Sequence, residues 1–134
     1  MAIRLKKRRS GGFTLLEMMI VMIIIGILLS IALPIYNQSL VRAREAVLRN
    51  DLFELRKLIS QYTLDKQKAP QGLDDLVTGG YIKVVPKDPM TNEANWEVEQ
   101  EDVLLSVDQQ DPGISGVHSA SSAISSEGTA YSSW

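Results

Sequence analysis

A chain of 134 residues has room for one small domain. It contains no cysteine and one histidine, which excludes disulfides, thiolate metal sites and multi-histidine centres. Fourteen Lys/Arg against sixteen Asp/Glu leave a net charge of −2, which argues against a general polyanion binder.

Charge is divided by position. Residues 1–12 hold five basic residues (Arg4, Lys6, Lys7, Arg8, Arg9) and no acid, whereas residues 13–134 carry nine basic and sixteen acidic residues. From Val84 onward Lys87 is the only base, against nine acids. A basic leader before an apolar segment reads as the cytoplasmic flank of a membrane insertion signal, ahead of a nucleic-acid-binding arm.

Met18 to Ile35 is eighteen residues in which only Gly26, Ser30 and Pro34 fall outside the apolar set. No charge occurs between Glu17 and Arg42. At ~1.5 Å per residue such a helix covers ~27–36 Å, enough to cross a hydrocarbon core of ~30 Å. The flanking charges orient it with the N-terminus in the cytoplasm and the rest of the chain outside. Ser30-Ile31-Ala32 fits the small-x-small rule of a secretory cleavage site, which leaves a secreted protein cut after Ala32 as a competing reading. Against it, the apolar run continues past Ala32.

Glu17 heads this segment, and no base follows in the apolar run to neutralise it. A carboxylate costs about 2.5–3.5 kcal/mol at a bilayer centre, so two readings stand: hydration at headgroup level, or a partner from another copy of the chain. Pro34 has no N–H, so the helix is expected to kink or melt around Ser30–Leu33. Gly26 weakens it by a further ~1 kcal/mol relative to Ala.

Leu40, Val47, Leu48, Leu52, Leu55, Ile59 and Tyr62 then recur mostly three and four apart, the pattern of an amphipathic helix. Its bland use is core packing against a head. Glu45 and Arg49 are spaced as an i, i+4 ion pair, and Pro70 marks the end. A straight helix from about Phe13 to Asp65 would be ~80 Å long.

Turn signals and short apolar runs fill the remainder. Leu73-Asp74-Asp75-Leu76-Val77 reads as a short helix stopped by Gly79-Gly80, and Tyr81–Val85 as a brief extended segment before the Pro86–Pro89 turn. Trp96–Glu99 and part of Asp102–Asp108 alternate as antiparallel strands do. Asp111-Pro112-Gly113 reads as a turn. Ser115–Ser133 is too polar for a conventional core, with Tyr131 and Trp134 expected to anchor it. His118 stands alone and reads as a surface residue. Asp74/Asp75 and Glu101/Asp102 read as solvated pairs, and no Ser-His-Asp spacing, phosphate loop or metal cluster supports an enzyme.

Gly12-Phe13-Thr14-Leu15-Leu16-Glu17 behind a short basic leader resembles the class III signal of type IV prepilins and type II secretion pseudopilins. The resemblance implies cleavage between Gly12 and Phe13 by a membrane prepilin peptidase, N-methylation of Phe13, and an assembly role for Glu17 in neutralising a neighbour's N-terminal amine. Pro34 matches the family's helix proline. Ala69-Pro70, Gly72–Leu76, Gly80–Ile82 and Val85–Pro89 are similar to the segment after the long helix in major pseudopilins. Gly116–Ser119 and Glu127–Trp134 are similar to the tails of some.

The fold this implies is α+β and type IV pilin-like: a long N-terminal helix on a small antiparallel sheet head. Its parts are a cleaved leader (1–12), a transmembrane and filament-core helix (13–36), an amphipathic periplasmic helix (37–68) and a small head with a Ser-rich tail (69–134). The resemblance implies a structural subunit of a type II secretion pseudopilus, anchored in the bacterial inner membrane and polymerising in the periplasm to help drive export. Its partners would be its own copies, minor pseudopilins, the prepilin peptidase, the inner-membrane assembly platform and membrane lipid, with no nucleic acid. The alternative is a type IV pilin or minor pilin for adhesion, motility or DNA uptake. No catalysis and no cofactor are expected. Many major pseudopilins hold calcium in the C-terminal loop, and here Asp108, Asp111 and Glu127 lie in that region. Ser119–Ser126 stands where the family's acidic loop would be, so calcium stays open, no metal ligand is assigned, and Asp108 and Asp111 read equally well as turn residues.

Overall fold

The computed structural model of the chain describes residues 11–100, 107 and 112–134. It divides into two compact units, Met1–Ser39 and Leu40–Trp134. One helix, α1 (Gly11–Lys66), supplies the first unit's described structure and continues into the second. Leu is its commonest residue and loses little rotamer freedom in a helix. Its hydroxyls close onto the preceding turn: Ser30 Oγ donates to Ile27 O at 2.7 Å, Ser39 Oγ to Ile35 O at 2.9 Å and Thr63 Oγ1 to Ile59 O at 2.8 Å. The helix stops at Gln67, which adopts φ 56° and donates Nε2 to Leu64 O at 2.7 Å, as left-handed C-terminal residues do.

Pro34 lies inside α1, and residues 30–33 are helical, so the melted turn expected there is absent. Proline removes one backbone donor, while the helical bonds on either side remain available.

In the head, α1 buries Leu48, Leu52, Leu55, Ile59 and Tyr62 against Leu76, Trp96, Ile114, Val117 and Tyr131. Each aliphatic side chain so buried contributes about 1.5–3 kcal/mol relative to exposure. Leu40 and Val47, expected on the same stripe, are exposed. Their place is taken by Glu45, which is buried.

The short helix α2 (Leu73–Thr78) is where the sequence puts it. Asp75 Oδ2 accepts from Gln71 N at 2.7 Å at its start, and Gly79 N donates to Asp75 O at 2.8 Å at its end. A two-stranded antiparallel sheet follows, formed by β1 (Glu97–Gln100) and β2 (Ile114–His118). Glu97 pairs with His118, Val98 with Val117 and Glu99 with Gly116; the register shifts before Gln100 meets Ile114. β1 is exposed along its length, and β2 provides the inner surface through Ile114, Gly116 and Val117.

The strand expected at Trp96–Glu99 is present as β1. Its pairing strand, Ile114–His118, overlaps the Ser115–Ser133 segment read as too polar for a core. Residues 101–106 and 108–111, and with them most of the alternating stretch Asp102–Asp108, lie outside the described residues. Ile114 and Val117 supply the buried side chains of β2, with a buried glycine between them at 116. Gly113 fixes the entry of β2: a Cβ there would lie 2.5 Å from Ala69 Cβ and 2.6 Å from Pro70 O. That close approach lets Ile114 N donate to Pro70 O at 2.8 Å.

Candidate functional site: the N-terminal helix signal and the tail knot

The residues the sequence singles out near the N-terminus fall in the first turns of α1. The Gly12–Phe13 peptide bond lies in the first described turn of α1. Phe13 is 70 % exposed. Glu17, one turn on, shares its face and lines a shallow hollow with Phe13, Leu16, Ile20 and Val21. Beyond it, the helix is long and apolar enough to cross a membrane, and none of its most apolar window is buried. The face of the second unit on α1 is covered by its own head; the apolar surface of the first is uncovered within the described residues.

A second polar centre, unforeseen in the sequence, lies in the head. The Glu45 carboxylate accepts from Ser126 N at 2.7 Å, Ser126 Oγ at 2.5 Å and Tyr131 OH at 2.8 Å. Burial pushes its pKa up, but the Ser126 and Tyr131 hydrogen bonds and the Arg49 charge outweigh that and hold it below the ordinary carboxylate value. Tyr131 moves up, through burial and then its bond to Glu45. The expected Glu45–Arg49 ion pair is replaced: Arg49 Nη2 reaches Glu127 Oε1 at 2.7 Å and its guanidinium stacks 4.3 Å above the Trp134 ring. One sequence signal pointed here, since Glu45 sits three residues before Leu48 on the buried stripe.

Arg56 adds a tether, donating through Nη2 to Val117 O at 2.8 Å and to the main-chain oxygen of Trp134 at 2.5 Å. His118 is therefore not a lone surface residue: Nδ1 bonds the Trp134 oxygen at 2.6 Å, and Nε2 lies 3.4 Å from Glu99. Tyr131 and Trp134 do anchor the tail, with their rings edge to face at 5.2 Å. Asp88 plays a parallel structural part, accepting from buried Ser119 Oγ at 2.5 Å and from Met90 N at 2.8 Å.

Among the described residues, several oxygens of the C-terminal loop are already engaged by protein partners. Calcium requires six to eight oxygens, several of them carboxylate, yet Glu127 is held by Arg49. The carbonyls of Ala123, Ser125 and Thr129 accept from Tyr131 N, Gly128 N and Ser125 N. No group of three acidic, histidine or cysteine side chains forms among the described residues, and Asp108 and Asp111 lie outside them. Of the acidic pairs, Asp75 serves the start of α2, and Glu101/Asp102 lie outside the described residues.

The chain matches the prokaryotic N-terminal methylation motif over residues 7–33. With the long apolar helix and small antiparallel sheet, this defines an α+β, pilin-like protein carrying a prepilin-type methylation motif. The type II secretion system core protein G of Aeromonas hydrophila is 38 % identical over 104 residues, covering 66 % of this chain and 73 % of that protein. The core protein G of Vibrio cholerae is also 38 % identical, over 106 residues, with 68 % and 73 % covered. That of Escherichia coli K12 is 35 % identical over 101 residues, with 63 % and 70 % covered. The chain belongs to the type II secretion system core protein G family. No solved structure is significantly similar to it.

Proposed function

We infer that this chain is the major pseudopilin of a type II secretion system, a filament subunit rather than an enzyme. The observation that carries the reading is the wholly uncovered apolar helix behind a prepilin motif, in a chain similar along most of its length to core protein G. The relatives favour secretion over an adhesive or motile pilus.

In this reading the subunit waits in the inner membrane, with residues 1–12 in the cytoplasm and the head in the periplasm. The peptidase cuts between Gly12 and Phe13, and Phe13 is N-methylated. Its amine then meets Glu17 of an adjacent copy, because a carboxylate leaving the headgroup region needs a positive partner. Minor pseudopilins and the inner-membrane platform complete the assembly. Calcium has no role in this reading.

The experiment is deletion of the gene with complementation, followed by comparison of secreted proteins and of surface pili. Loss of exoprotein release with pili intact supports the reading; normal release with lost pili makes the chain a pilin. Intact mass and N-terminal sequencing of the membrane-extracted protein check the processing, expected to begin at N-methylated Phe13. A soluble chain beginning at Leu33 would replace the filament reading with secretion of the head.

A further inference from the structure

We propose that the C-terminal loop of this head is closed without a metal ion, by the Glu45 carboxylate of α1 acting as an internal anion that gathers the loop's donors. A bound cation orders a loop by collecting oxygens. Here the polarity of the cross-link is inverted. Glu45 draws in one backbone N–H and two hydroxyls, all from residues 81 or more positions later in the chain. Its carboxylate is buried, and no buried side-chain N or O atom lacks a partner among the described residues.

The loop is built to present donors to that carboxylate. Ser125 N donates to Thr129 O at 2.7 Å and Gly128 N to Ser125 O at 3.0 Å, closing a tight turn that needs Gly128 at φ 86°. Within it, Ser125 Oγ meets Thr129 Oγ1 at 3.1 Å and accepts from Glu127 N at 3.2 Å. This leaves the amide and hydroxyl of Ser126 directed at Glu45. Trp134 Nε1 donates to Thr129 Oγ1 at 2.8 Å and fastens the outside of the turn. Arg49 flanks the same turn, where its fixed positive charge opposes a divalent cation. Serine at 119, 121, 125 and 126 is thus the composition of a hydrogen-bonded loop.

The test is loop opening in the full chain, purified in detergent, read as release of the peptide after Glu127 by a glutamate-specific protease and followed by mass spectrometry. Wild-type release is expected to be unchanged by excess EGTA or by added CaCl2. Glu45→Gln and Tyr131→Phe are each expected to speed it roughly tenfold, the loss of one hydrogen bond to a charged group. Faster release in EGTA, or protection by CaCl2, overturns the proposal in favour of a metal-closed loop. Wild-type rates in both variants overturn it as well, since the carboxylate would then not hold the loop. If Glu45→Gln fails to fold, Tyr131→Phe alone decides between these outcomes, because it preserves the ring and removes only the donor.

Discussion

Tyr131 donates its hydroxyl to the Glu45 carboxylate at 2.8 Å, joining positions 86 residues apart. Removing that donor leaves the ring's packing on the core and takes away a bond to a charged acceptor. Tyr131→Phe is expected to lower stability by about 1.5–3 kcal/mol, measured by chemical denaturation of the full chain in detergent.

The same carboxylate sets an acid response. Its folded pKa lies below the ordinary carboxylate value. Its contribution is therefore complete above the unfolded pKa and disappears as pH falls through the folded one. Stability is expected to drop on acidification in the wild type and to drop less in Glu45→Gln, measured by melting temperature across the acidic range. The contributing charges are Glu45 itself and nearby Arg49, with Tyr131 remaining neutral throughout that range.

Arg49 is a contrasting case. Its partners are close, but Arg49 and Glu127 are 54 % and 58 % exposed, so solvent screens the pair. Arg49→Ala is expected to cost about 1 kcal/mol or less. Leu55→Ala, at a fully packed position, is expected to cost about 2–5 kcal/mol. A denaturation series on the two variants checks the ordering.

At the N-terminal end, Gly12→Leu is expected to leave the unprocessed precursor in the membrane, seen as a mass that retains residues 1–12. Gly12→Ala should slow processing only in part. Removal of the leader at the normal rate in Gly12→Leu would place the cut elsewhere.

Glu17→Ala is expected to be processed normally yet to yield at least about tenfold less sheared filament, consistent with loss of a charge pairing in a low-dielectric setting. Filament at wild-type yield would remove Glu17 from assembly.

The helical half of the protein was legible because its information is local. Leu48, Leu52, Leu55, Ile59 and Tyr62 announce a buried face by spacing alone, and Gly79-Gly80 ends α2 within the same few residues that begin it. Gly12, Phe13 and Glu17 were legible as a motif. β2 was not, because a strand with glycine and serine among its five residues carries little hydrophobic alternation. Leu40 followed the period but precedes the stretch the head covers, and Val47, between buried Glu45 and Leu48, is exposed on another face of the helix. Glu45 was misassigned to Arg49 for a physical reason. Sequence proximity favours the i, i+4 partner, while the donors that satisfy a buried carboxylate come from Ser126 and Tyr131.

The placement of Ile114, Val117 and Tyr131 opposite the α1 stripe makes completion of the head a late event in the life of each chain. Until those residues have been synthesised, Leu48, Leu52 and Leu55 lack much of their covering and Glu45 lacks its donors. Such contacts between distant positions are slow to form. A chain truncated before Tyr131 would therefore leave much of the Leu48–Leu55 face uncovered, and proteases would distinguish finished chains from unfinished ones by that exposed apolar surface.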